Sequence, residues 1–233
     1  LDWLAGNFKK NGLHLKGLHR LIVSSATYRQ SGYPDENHLA KMSIDPRQVD
    51  VGNRLFWRMN PRRLEAESIR DSMLAVAGKL NRQMGGPSFE DVSIIGNNGT
   101  TYYSPIDVDG PQYFRRTVYR FNPRGGRSAL LDTFDCPDSA ATAPRRAVTT
   151  TPLQALSLLN NSFVLKMSDY FAERVQTEAG KDSVGQVVLA WRLALGRVPR
   201  AAEEKMAVEF VEKHGMNALC RALFNVSEFV AIE

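Results

Sequence analysis

Four residues stand just ahead of a leucine-rich run: Arg145, Arg146, Thr149 and Thr150, within APRRAVTTTPLQALSLLNN, residues 143–161. Two guanidiniums and two hydroxyls before a helix start could hold an oxyanion. Free N–H groups and the macrodipole at a helix N-terminus attract negative charge. The alternative is internal, with the arginines paired to Asp132, Asp135 or Asp138 of the preceding LLDTFDCPDSA. Internal pairing is the commoner use of interspersed charge. The other residues here need no ligand. Thr151, Pro152 and Gln154 suit the N-cap, first and third helical positions, which makes a capping box. Leu153, Leu156, Leu159, Phe163, Met167 and Phe171 then recur at helical spacing and predict a buried stripe. Asn160, beside that stripe, predicts a tie to a neighbouring backbone.

A second charged group lies in NPRRLEAESIRD, residues 60–71. Arg63, Glu67, Arg70 and Asp71 fall at spacings of three and four, so Arg63–Glu67 and Glu67–Arg70 can meet on one helix surface. Paired carboxylates could serve acid–base chemistry, although alternating charge usually forms a salt-bridge lattice. The segment 112–127 holds five arginines and no acid, interleaved with Tyr113, Phe114, Tyr119 and Phe121. Arginine and aromatic faces suit nucleic acid or an acidic polysaccharide; the alternative is a ribbon whose arginines reach acidic helix faces. The histidines at 14, 19, 38 and 214 have no metal-ligand spacing, and no metal site is expected. No hydrolase, nucleotide-binding or zinc-protease signature is present. Cys136 and Cys220 form no C-x-x-C, and buried thiols and a disulfide both remain open.

These groups must be carried by helices. Residues 1–10 look like the end of one, broken at Asn11-Gly12, and Leu15, Leu18, Leu21 and Ile22 mark a second. Residues 32–53 read as loop. Asn60 and Pro61 predict an N-cap and first residue for a helix with the stripe Ile69, Met73, Val76 and Leu80. The β-rich runs VSII and TTYY flank a Gly-Asn-Asn-Gly turn and predict a hairpin. YFRRTVYRF alternates like a further strand. Helices are expected over about 152–178, 183–195, 201–213 and 216–224, with a last turn near 227–230. The fold class is therefore mainly α: a helical domain with a small antiparallel β insertion near residues 92–122. The chain of 233 residues reads as one domain (1–91 helical, 92–122 β insertion, 123–233 helical).

The net charge is +5, and 21 of the 30 basic residues are Arg, suited to forked pairing with carboxylate or phosphate. No stretch approaches the ~18 apolar residues of a membrane span. LDWLAGNF begins inside a helical pattern, so the chain is read as a piece of a longer product.

Several phrases together carry a family resemblance. They are LDWLAGNF, LHRLIVSSATYRQS, NPRRLEAESIRDSMLAVAGKL, GGPS, RRTVYRFNPR, FDCPDSA, PRRAVTTTPLQALSLLNNSFV, LALGRVPRAAEE and LCRALFNVSEFVAIE. In this order they resemble the C-terminal domain of unknown function of planctomycete-type cytochrome c proteins, over nearly the whole chain. The resemblance implies export to the periplasm or cell envelope and a haem c segment on a separate domain, with no cofactor in this part. It implies as partners that haem c domain and an acidic polysaccharide, with nucleic acid ranked below both. The function implied is that of an accessory or binding module in redox-linked polysaccharide degradation; the alternative is an enzyme acting on acidic or sulfated glycans. It supplies no catalytic residues. Arg200 stands where such proteins carry a Thr or Ser helix cap, at a cost of ~1 kcal/mol.

Overall fold

Residues 1–32 and 39–232 are described by a computed structural model. Among them are eleven α-helices and one antiparallel hairpin, so the fold is mainly α. His38 lies outside the described residues. The chain divides into two compact units, Leu1–Arg62 and Arg63–Ile232.

In the first unit, α1 (Asp2–Lys10), α2 (Leu15–Val23) and α3 (Pro46–Val49) contain no buried residue. Side-chain to backbone bonds shape its connections. The Asp45 carboxylate accepts the Arg47 amide and caps α3 (2.9 Å). Asp50 accepts the amides of Arg54 and Leu55. Buried Asn53 donates to the Arg58 carbonyl (2.6 Å) and to Asn60 Oδ1 (3.0 Å). That last bond explains why Asn60 does not cap a helix as its sequence suggests. The chain stays extended through Arg62–Arg63, and the helix begins five residues later than expected.

In the second unit, α4 (Ala66–Val76) buries Ile69, Met73 and Val76, as the periodicity predicts. It stops at Gly78 (φ +72), short of Leu80, because the left-handed turn there ends the helical ladder. The hairpin pairs β1 (Val92–Asn97) with β2 (Thr100–Pro105) around Asn98-Gly99. Both turn residues have positive φ (49° and 79°), the type I′ geometry that suits the strand twist. The expected third strand is absent. Residues Thr117–Tyr119 form a 3₁₀ turn instead, because Asp71 Oδ1 accepts both the amide and the hydroxyl of Thr117 at 2.7 Å and bends the chain against α4.

Beyond α5 (Ala129–Thr133), the long helix expected from residue 152 is two helices, α6 (Pro152–Asn160) and α7 (Ser162–Ala179). Asn161 Oδ1 accepts the Phe163 amide (3.0 Å), so a capping residue interrupts the run. The break resets the helical phase. Gln154 and Leu158 face inward in α6, while Leu153 and Leu156 are 62% and 54% exposed, against the predicted stripe. Exposed Asn160 bonds to the Leu156 carbonyl of its own helix, not to a neighbour. After the break, Val164, Met167, Phe171 and Val175 are fully buried. They share one core with α8 (Ser183–Leu195), α9 (Ala201–His214) and α10 (Met216–Phe224), followed by the turn α11 (Ser227–Val230). Phe171 stacks on Phe224 at 5.5 Å. At the start of α9, Glu203 accepts the amide of Arg200 (2.7 Å), which partly replaces the missing cap.

Candidate functional site

The α6 approach folds onto the start of α4. Arg146 makes a fork with Glu67, Nη1 to Oε2 at 2.7 Å and Nη2 to Oε1 at 2.9 Å. Glu65 is 3.6 Å from the same guanidinium. Glu67 sits in the first turn of α4, where the helix dipole also favours a negative charge. The Arg146 bonds outweigh burial and hold the Glu67 carboxyl below its ordinary range. The Cys136 thiol lies 3.9 Å from Glu67 Oε1. Burial, then the Glu67 charge, pushes Cys136 up to about 11. A thiol so tuned stays protonated at neutral pH and is a poor nucleophile.

Asp135 organises the other half. It follows α5 in the left-handed region (φ 62°), a conformation that aspartate tolerates better than most residues. Its Oδ2 accepts from Arg63 and from the Thr149 amide (2.9 Å), and its Oδ1 from the Thr149 hydroxyl (2.9 Å). Arg63 also donates to the Thr149 carbonyl and lies over the Phe134 ring. Burial opposes ionisation of Asp135, but the bonds from Thr149 and Arg63 win and lower its pKa. Buried Gln154 accepts the Thr151 amide (3.3 Å) and donates to the Thr133 carbonyl (3.0 Å) and the Thr149 hydroxyl (3.3 Å).

The two charged groups of the sequence therefore meet, but not as helix-surface pairs. Arg63 precedes α4, so it reaches Asp135 instead of Glu67. Arg146 goes to Glu67 instead of an aspartate. Asp132 has Arg127 at 3.8 Å, and Asp138 accepts the Ala140 amide. Arg145 and Thr150 are exposed and have no hydrogen-bond or ion-pair partner among the described residues. Arg70 and Asp71 turn to the other side of α4, away from Glu67.

There Arg70 is almost wholly buried between the Phe89 and Phe163 rings, at 5.2 and 5.0 Å. It donates to the carbonyls of Arg115 (3.1 Å) and Tyr113 (2.8 Å) and to the Thr117 hydroxyl (3.2 Å). Burial pulls its pKa to about 10, which leaves it cationic at neutral pH. Arg120 pairs with Asp91 (Nε to Oδ2, 2.8 Å), and Arg115 holds the Pro87 and Gly85 carbonyls and stacks on Tyr119. Four arginines of segment 112–127, Arg115, Arg116, Arg120 and Arg127, thus have structural or acidic partners, with Arg116 3.5 Å from Asp71 and Arg127 3.8 Å from Asp132. Exposed Arg124 has none among the described residues. Arg70, Asp91 and Arg120 line a cavity of about 130 Å³. Sequence reasoning missed Asp91, since no spacing rule links it to residues 70 and 120.

Cys136 and Cys220 are not bonded to each other; Cys220 is buried. Among the described residues, no group of three His, Cys, Asp or Glu side chains could hold a metal ion, and no helix is long and apolar enough to cross a membrane.

Residues 1–211 match the model of the family described as PSD1, a protein of unknown function (DUF1553), and the chain belongs to that family. Neither the comparison with curated proteins nor that with solved structures returned a match.

Proposed function

We propose that this member of the family is a binding module without a reaction of its own, acting on an acidic polysaccharide as an accessory part of an exported, cytochrome-c-associated protein. One observation carries the reading. The two carboxylates at the centre of the charged clusters, Glu67 and Asp135, have both oxygens engaged by Arg146, Arg63 and Thr149. A carboxylate so engaged has low basicity and is a weak general base. Of the residues that could have formed an anion site, Arg145, Arg146, Thr149 and Thr150, only Arg145 and Thr150 are left unpaired among the described residues. The excess of positive charge, +5 overall, is left to side chains such as Arg124 and Arg145. They would attract a polyanion by a screened, salt-sensitive force. The haem c partner and the periplasmic or secreted location rest on the sequence resemblance described above.

Affinity electrophoresis of the full chain in gels containing dextran sulfate or neutral dextran tests this. Retardation by dextran sulfate that salt abolishes and that an Arg124→Ala/Arg145→Ala variant weakens is the expected result. Release of reducing ends or free sulfate, or migration unaltered at low salt, would overturn it.

A further inference from the structure

We propose that α1 and α2 dock the protein on an anionic lipid surface. The inference goes beyond the polysaccharide-binding reading and does not depend on it. Two observations of different kinds meet on these helices. The first is apolar surface without cover. Neither helix contains a buried residue. In α2, Leu15, Leu18 and Ile22 fall at i, i+3 and i+7 and share one face. Such a stripe ordinarily packs against a core. Here Leu15 is 60% and Ile22 41% exposed, and Trp3 of α1 is 68% exposed.

The second is charge of one sign. Over residues 1–30 the cations are Lys9, Lys10, Lys16, Arg20 and Arg29, and the one acid is Asp2. None of these cations has an acidic partner among the described residues. The second unit differs, since Arg146 is matched there by Glu67 and Arg197 by Glu203 and Glu228. Lys16 and Arg20, four apart, lie opposite the apolar face of α2.

The combination selects the partner. A soluble polyanion would use the cations and leave leucine and tryptophan in water. A protein groove would cover the leucines without calling for one sign of charge. An anionic bilayer uses both. Its headgroups attract cations over a Debye length of ~10 Å, and its acyl boundary takes in Leu, Ile and Trp. With nine residues α2 can lie in the surface but not cross it, since a span needs ~20.

Flotation of the full chain with lipid vesicles tests this. Vesicles of phosphatidylglycerol and phosphatidylcholine in equal parts should carry the protein up the gradient, and phosphatidylcholine alone should not. Added salt should release it. Leu15→Gln/Ile22→Gln removes apolar surface at unchanged net charge. It should weaken flotation at least about tenfold and leave the melting temperature and the dextran sulfate retardation unaltered. Lys16→Gln/Arg20→Gln should weaken flotation by about the same factor. Absence from the phosphatidylglycerol vesicles, equal flotation with phosphatidylcholine alone, or full flotation of Leu15→Gln/Ile22→Gln would overturn the proposal. So would a dimer of the native chain that Leu15→Gln/Ile22→Gln dissolves, which would give the face to a second copy.

Discussion

Glu67 and Asp135 have a donor at each carboxylate oxygen, whereas Asp91 Oδ1 has none among the described residues. Both regions lie on α4 and both are built from arginines, yet their surroundings differ. The first is near the surface, with Arg146 39% and Glu67 29% exposed. It joins segments far apart in sequence, the start of α4 to the approach of α6. The second is buried; Arg70 and Arg115 face carbonyls and aromatic rings, and Arg120 faces Asp91. A surface cluster can complete itself from mobile side chains, and water covers what is left. A buried cluster must be satisfied by fixed geometry. Charge density in a sequence does not distinguish these cases; burial and pairing do.

The largest effect should come from the buried region. Arg70→Ala leaves two carbonyls and a hydroxyl without a donor and opens a void between two rings. Loss of such a group costs ~3–5 kcal/mol. Urea denaturation should show a correspondingly lower midpoint, and a change below ~1 kcal/mol would show that water replaces the guanidinium.

Asp135→Ala comes next. It removes the acceptor of Arg63 and of both Thr149 donors, with an expected loss of ~2–3 kcal/mol. Asp135 titrates below its ordinary 3.8 in the folded chain. Its stabilisation is therefore complete above that value and is lost as pH falls through the lower, folded-state pKa. In Asp135→Asn, stability measured from neutral pH down into this range should fall less steeply than in the native chain. Unchanged steepness would remove Asp135 from the account. Asn161→Ala should cost only ~1 kcal/mol, the value of one helix cap, read as a small shift in melting temperature. A much larger loss would mean that Asn161 does more than start α7.

Much of this was legible in the sequence. The hairpin followed from its Asn-Gly turn, and the C-terminal helices from their periodicity and glycine stops. The Gln154 arm of the capping box was legible too. The misses share a cause. Asn60 looked like a cap but is held by Asn53, and Thr117 looked like a strand residue but is held by Asp71. Asn161 looked like helix interior but is a cap. In each case one side-chain hydrogen bond, invisible to periodicity, overrode the local pattern. Of the candidate site, the residues Arg146, Thr149, Glu67 and Arg63 were legible by type and spacing. Their partners were not, because pairing across 79 and 72 residues depends on the fold.

The claim that the surface cluster is a structural clasp is tested most directly by Arg146→Ala/Thr149→Ala, with dextran sulfate retardation and melting temperature measured on the same protein. The Arg146 share is a partly exposed pair, worth below ~1 kcal/mol after solvent screening, and Thr149 adds ~1–2 kcal/mol. The expected result is a lowered melting temperature with retardation by dextran sulfate unaltered. Retardation abolished at an unchanged melting temperature would contradict the account and make Arg146 and Thr149 an anion site.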